Sequence, residues 1–125
     1  VACGGGGIPI IEENGNAVGV EAVIDKDLAG QRLATLIGAN IFIVLTDVNG
    51  AYVNYGKPNQ RSVRRMTVQK CRKFLEQGQF PSGSMGPKIE SAIKFLESGG
   101  KRAIISSLEK AEEALAGKAG TTIVP

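Results

Sequence analysis

Two lysines in this sequence stand where a positive charge is least welcome. Lys26, in "VIDKDLAG", lies one residue past Asp25, a natural helix cap, and Lys88, in "GSMGPK", directly follows Pro87, a natural first-turn residue. A helix start carries partial positive charge and unsatisfied amides, so an exposed lysine there costs about 0.3–1 kcal/mol. The placement turns favourable when an anion shares the spot, because amides, dipole and ammonium then converge on one charge. A phosphate group is such an anion. For either lysine alone the competing reading is a solvated ammonium on a flexible stem; the repetition beside a glycine run and two aspartates favours the anion.

Asp27 sharpens this reading. A carboxylate between two ammonium groups can hold both in place and keep them charged, as phosphoryl transfer requires, since its catalysis is largely positioning and charge stabilisation. An ordinary first-turn aspartate complementing the helix dipole is an equal alternative on spacing alone. The run Gly4, Gly5, Gly6, Gly7 lets main-chain amides approach a ligand closely, as phosphate-binding loops do, or simply makes a tight turn before a hairpin. It is not a Walker A loop, because no GK[ST] follows, and not a dinucleotide fingerprint, because "IPII" follows instead of a helix. Asp47 could meet a ribose hydroxyl or cap a turn. Tyr52 and Tyr55 could offer a base a ring face or hydroxyl, or merely pair across a hairpin.

The elements that must position these residues alternate between short apolar runs and helix-period segments, which is an α/β pattern. Val1 to Cys3 reads as a buried strand, and Ile8 to Glu12 with Val18 to Val23 around "ENGN" as a hairpin. Asp25 caps a helix through about Ile37, with Ala29, Leu33, Leu36 and Ile37 expected on its buried face. Ile41 to Leu45 is a continuous apolar run, the signature of a strand buried on both faces. A loop or second hairpin follows to about Asn59. Thr67 opens a helix that turns Val68, Cys71, Phe74 and Leu75 inward and closes at Gly78. Ser84 precedes the helix of Ile89, Ala92, Ile93 and Leu96, ended by Gly99. Ala103 to Ser106 is a strand, Ser106 and Glu109 have capping-box spacing for the helix that stops at Gly117, and Thr121 to Val124 is a final strand. Strands alternating with helices need crossovers, so the expected fold is a three-layer α/β/α arrangement around an open, mainly parallel sheet with hairpin excursions. Ligands of such sheets sit at the carboxyl ends of the strands. That directs attention to Gly4–Gly7, Thr46–Asn49, Ser106–Ser107 and the segment entering Lys88.

Composition bounds the chemistry. With 125 residues, 42% hydrophobic and 22% charged, the chain has the balance of one soluble domain. Its longest apolar run falls far short of the roughly 20 residues of a membrane span, and no charged-then-apolar leader opens it, so a cytoplasmic location without membrane contact is expected. Cys3 and Cys71 lie far apart without a CxxC pattern and read as two ordinary thiols. Histidine is absent, which removes the commonest general base and the commonest metal ligand, and no metal-ligating set is identified. Lys57 to Lys73 carries seven basic residues and no acidic one, but no aromatic interleaves them and the net charge is only +3. A solvated basic face that attracts an anionic substrate is favoured over nucleic-acid binding.

Taken in order, "ACGGGGIPI", "GVEAVIDKDLAG", "LTDVNGAYVNYGKP" and the stretch from "GQFPSGSMGPK" to "TTIVP" resemble the nucleotide-binding half of the carbamate kinases, within the amino acid kinase superfamily. The resemblance runs from Val1 to Pro125, and "VIDKDLAG" and "GSMGPK" are its most specific parts. It implies reversible phosphoryl transfer between ATP and carbamate with magnesium, used mainly to make ATP from carbamoyl phosphate and ADP. By resemblance Lys26 and Lys88 contact the transferred phosphoryl and nucleotide phosphates, Asp27 organises them, and Gly4 to Gly7 lie near the phosphates. Thr46, Asp47, Tyr55, Met85 and Pro87 fall in segments resembling the adenosine-binding loops. The implied fold is an open α/β/α sandwich, usually a homodimer. Members are more than twice as long, and their amino-terminal part carries another glycine loop, another catalytic lysine and most of the carbamate pocket. The absence of an initiator methionine fits a piece of something longer. The expectation is a nucleotide-binding portion that turns over no carbamoyl phosphate by itself. A sibling kinase with another acceptor and a non-catalytic binding or assembly module are the alternatives.

Overall fold

A computed structural model describes residues 7–125. The expected strand at Val1 to Cys3 and the glycines Gly4, Gly5 and Gly6 lie outside the described residues. Strands β1 (Ile10–Glu13) and β2 (Asn16–Gly19) form an antiparallel hairpin, with Ile11 opposite Val18. Its turn is Asn14–Gly15, both at positive φ (52° and 79°), the backbone that an Asn-Gly pair tolerates best.

Helix α1 (Lys26–Leu36) starts as its sequence demands. The Asp25 carboxylate accepts from the amides of Asp27 and Leu28, both at 2.9 Å, and satisfies two of the orphan donors of the first turn. The expected inward face is corrected. Leu36 and Ile37 are 69% and 71% exposed, while Asp27, Gln31 and Ala34 are the buried positions. Gly30 lies over the Phe42 ring, and the polar contact made by Asp27 turns this side of the helix toward its neighbours. Periodicity marks an apolar stripe, but it does not say which stripe finds a neighbour.

The main sheet runs in the order β3 (Ile41–Thr46), β7 (Arg102–Ser107), β8 (Thr121–Val124) and β6 (Arg65–Thr67). Strand β3 pairs in parallel with β7 from Ile41–Arg102 to Thr46–Ser107, and β6 pairs in parallel with β8. Two of the three ladders are therefore parallel, and β8 runs antiparallel to β7. The small ladder of β4 (Tyr52–Val53) with β5 (Arg61–Ser62) supplies the second hairpin excursion.

Between the strands lie α2 (Val68–Glu76), α3 (Met85–Glu97) and the short α4 (Ala111–Leu115), the last preceded by a 3-10 turn at Leu108–Lys110. Thr67 caps α2, its hydroxyl accepting from the Lys70 amide at 3.2 Å, and Cys71 is fully buried with Val68, Phe74 and Leu75 partly so, as their spacing predicts. Alternation along β7 divides the core. Ala103 and Ile105 pack with Phe42, Val44 and the α3 residues Ile89, Ala92, Ile93 and Phe95, whereas Ile104 meets Ala114, Ala119 and Ile43 on the α4 side. The expected capping box at Ser106 does not form. The β3 ladder carries β7 through Ser107, so Ser106 is a strand residue with a buried hydroxyl that has no partner among the described residues.

Candidate functional site

Thr46 and Ser107 end the parallel pair β3–β7 side by side, and the chain after each is fastened at once. The Thr46 hydroxyl donates to Asp47 Oδ1 at 3.0 Å, and Ser107 donates to Asn49 Oδ1 at 2.9 Å. Further along, the buried Thr121 hydroxyl accepts from the Ala51 amide at 2.8 Å and donates to the Val63 carbonyl at 2.5 Å. The loop leaving β3 is thereby tied to three neighbouring segments. It delivers Tyr52 and Tyr55, whose rings meet edge-on with centroids 6.1 Å apart.

Opposite this loop lies the entry to α3. Gly86 packs against the Pro81 carbonyl, where an added Cβ would come within 2.9 Å, and its amide donates to that same carbonyl at 2.8 Å. Ser84 occupies the cap position without a side-chain hydrogen bond, and Pro87 has no N–H to give. Few amides are thus left free at this helix start, and its positive character comes from the dipole together with the Lys88 ammonium.

Lys88 does not stand alone. Its Nζ donates to Asp27 Oδ2 at 2.9 Å, with side-chain exposures of only 12% and 10% for the two residues. This ion pair joins the first turn of α1 to that of α3. Lys26, on the same first turn as Asp27, is exposed and has no ion-pair partner among the described residues. The structure therefore brings together one lysine with Asp27, and leaves the other on the surface beside them.

Between the Tyr52–Tyr55 loop and the α3 entry is a cavity of about 160 Å³. Thr46, Asp47, Tyr52, Tyr55, Met85 and Lys88 all line it, so the candidates drawn from β3 and from "GSMGPK" converge. Pro87 is half-buried on α3 and does not line it, and Gly7 is exposed. Gln79 was not singled out by sequence reasoning, yet it lines the cavity and its Oε1 accepts from the Asn54 amide at 2.8 Å. That bond secures Asn54, held at φ 53°, between the two tyrosines. The available signal was its position between the helix stop Gly78 and Pro81, in a loop feeding the site.

Among the described residues, no three His, Cys, Asp or Glu side chains converge to hold a metal ion. The carboxylate nearest Lys88 is already paired. No helix among the described residues is long and apolar enough to cross a membrane.

Comparison with known proteins places this geometry in context. The profile of the Amino acid kinase family matches residues 4–107. The carbamate kinase of Thermococcus kodakarensis is 56% identical over 124 residues, which is 99% of this chain and 39% of that protein. Carbamate kinase 2 of Staphylococcus aureus is 51% identical over 98% of this chain and 40% of its own length. A solved carbamate kinase from Giardia lamblia bound to AMP-PNP superposes with a TM-score of 0.90 at 44% identity, covering 95% of this chain and 38% of that one. The chain thus spans about two fifths of the length of the relatives it matches. With the family profile matched across most of its residues, the chain belongs to the amino acid kinase family.

Proposed function

We propose that this chain is the carboxy-terminal, nucleotide-binding portion of a carbamate kinase, which transfers a phosphoryl group reversibly between ATP and carbamate. The observation that carries the reading is the largely buried Lys88–Asp27 pair, whose lysine lines a cavity together with Asp47, Tyr52 and Tyr55. An aromatic wall, a carboxylate and a fixed ammonium suit in turn a base, a ribose hydroxyl and a phosphate. The strong similarity to proteins named carbamate kinases supports the choice of acceptor.

In this reading adenosine lies against Tyr52 and Tyr55, Asp47 accepts from the ribose, and the phosphates run toward Lys88. A carbamate oxygen forms a bond to the γ-phosphorus as the bond from that phosphorus to the ADP oxygen breaks, and ADP leaves with the electron pair. Charge spreads over the phosphoryl oxygens during this exchange, and Lys88, held at a fixed distance by Asp27, opposes it without reorganising. Lys26, exposed beside the pair, contacts the transferred phosphoryl in this reading. Magnesium, when bound, neutralises part of the phosphate charge.

A volume of about 160 Å³ is below the roughly 300 Å³ at which ligand pockets begin, which fits a site completed by the rest of a longer enzyme. The test is a full-length chimera in which this chain replaces the matching segment of the Thermococcus kodakarensis enzyme. It is expected to form ATP from carbamoyl phosphate and ADP, while the 125-residue chain alone forms none. The acceptor pocket of the chimera belongs mainly to the Thermococcus part, so its turnover tests the nucleotide site that this chain supplies. A folded chimera without transfer to any acceptor would leave a non-catalytic module.

A further inference from the structure

Beside the nucleotide cavity lies a second cavity, of about 140 Å³, which has only Tyr52 in common with it. Its walls come from the loop leaving β3, the segment between β5 and β6, the turn before α4 and the stretch from α4 into β8. The charges on these walls do not balance. Arg64, Lys110 and Lys118 line the cavity with Glu113 as the single carboxylate, and none of the four makes an ion pair among the described residues. Elsewhere the chain pairs such groups, Arg72 with Glu97 at 2.6 Å and Lys88 with Asp27 at 2.9 Å.

The fold, and no local motif, brings these cations together. Arg64 is the one basic residue of the Lys57–Lys73 run that reaches the cavity. Its Nη2 donates to the Lys118 carbonyl at 2.6 Å, across 54 residues, and its own carbonyl accepts from the Thr122 amide at 2.9 Å. The Lys118 amide in turn donates to the Glu113 carbonyl at 2.8 Å. The backbone carrying Arg64, Glu113 and Lys118 is thus one hydrogen-bonded unit, and Lys110 joins it from the end of the 3-10 turn.

A guanidinium fork and two ammonium groups at one cavity suit a tetrahedral oxyanion, and Ser62 and Tyr52 add hydroxyl groups able to donate to it. Glu113 discriminates between oxyanions. A carboxylate repels an anion that has no proton but accepts a hydrogen bond from one that keeps an O–H. Hydrogenphosphate retains a P–OH at neutral pH, whereas sulfate has none.

We propose that the cavity lined by Arg64, Lys110, Lys118 and Glu113 is a binding site for inorganic hydrogenphosphate, separate from the nucleotide cavity. The three cations take its charged oxygens, and Glu113 accepts from its P–OH. This site needs neither Lys88 nor any acceptor pocket, so it stands or falls apart from the kinase reading.

The test is a titration of the native chain with sodium phosphate at constant ionic strength, followed by amide NMR, with sulfate titrated in parallel. Saturable shifts are expected at Arg64 and from Lys118 to Thr121, with phosphate binding about fivefold or more tighter than sulfate, a difference of about 1 kcal/mol. Lys110→Gln with Lys118→Gln should weaken phosphate by about tenfold or more, while Lys70→Gln with Lys73→Gln, on the exposed side of α2, should change it less than about twofold. All four lysines are exposed, and protection of Cys71 from thiol reagents confirms that each variant is folded. Glu113→Gln should bring phosphate and sulfate to within about twofold of each other, because the amide no longer repels the unprotonated anion. Absence of saturable shifts in the folded native chain would overturn the proposal. So would equal losses in the two double-lysine variants, which would make the effect one of diffuse charge. Equal affinity of the native chain for sulfate would reject hydrogenphosphate as the ligand. Shifts centred on Asp47, Tyr55 and Met85 that disappear in Lys88→Met with Asp27→Asn would place phosphate in the nucleotide cavity instead, rejecting this site while supporting the proposed function.

Discussion

The first turns of α1 and α3 each carry a lysine, and the structure treats them oppositely. At α1 the Asp25 carboxylate takes up the amides of Asp27 and Leu28, and Lys26 extends into solvent. At α3 no side chain caps the helix, the Pro81 carbonyl occupies the Gly86 amide, and Lys88 is drawn inward onto Asp27 beside the cavity. A helix start is therefore not an anion receptor by virtue of its dipole alone. What distinguishes α3 is a largely buried ammonium whose position is set by a carboxylate from another helix. That pair serves two ends, fastening α1 to α3 and presenting a charge, and substitutions can separate the two.

The largest effect is expected from Lys88→Ala. It strands the Asp27 carboxylate in a site where it is only 10% exposed, a change worth about 3 kcal/mol or more when one partner of a buried pair is removed. Thermal denaturation should show a large fall in melting temperature. Joint replacement by Lys88→Met and Asp27→Asn removes both charges and should restore most of that stability without restoring nucleotide affinity. Recovery of both properties together would mean that the pair acts only as a fastener.

Gly86→Ala comes next. The new methyl would meet the Pro81 carbonyl at 2.9 Å, so the α3 entry must shift, at a cost of about 1–3 kcal/mol by the usual measure of overpacking. Chemical denaturation checks the stability, and a severalfold loss of ADP affinity is expected with it because Met85 and Lys88 move. Asp25→Ala exposes the α1 amides and should cost about 1 kcal/mol, read from the same denaturation curve, with little change in nucleotide binding. Lys26→Ala is the smallest change for the isolated chain. Removing an exposed cation from a helix start should leave stability unchanged or raise it by up to about 1 kcal/mol, and calorimetry should find ADP affinity within a factor of about three. Its effect on transfer in the full-length chimera should be far greater.

Cys71 provides a control on the fold in each variant. Burial pushes its thiol up from 9.0 to about 12, so it should resist thiol reagents at pH 8 as long as the core is closed. The sign for stability follows from the same shift. The contribution of the buried neutral thiol is complete below pH 9 and is lost as pH rises from there toward 12, since the unfolded chain ionises first.

Much of the architecture was legible because local chemistry and tertiary structure agree. The Asn14–Gly15 turn, the Asp25 and Thr67 caps, the strand at β3 and the inward Cys71 of α2 all follow from neighbours within a few residues, although the expected burial of β3 on both faces is corrected, Ile41 and Leu45 being 41% and 39% exposed. Lys88 and Asp27 were separately conspicuous as charges at helix starts, but their contact spans 61 residues and no local pattern encodes it. The rotation of α1 was misread for the same reason. Leu36 and Ile37 form a clear apolar stripe, yet the side that meets a neighbour is the one carrying Asp27, Gln31 and Ala34. The antiparallel direction of β8 is a property of where the sheet has room, and Gln79 gained its place by reaching an amide 25 residues away.

The most direct test of the central claim is calorimetric titration of ADP with magnesium into the native chain and into the chain carrying both Lys88→Met and Asp27→Asn, with Cys71 accessibility confirming that each is folded. The account predicts saturable binding by the native chain and at least tenfold weaker binding by the variant. Equal affinity in the two, or equal ADP affinity and transfer rate in chimeras built from the two, would contradict it.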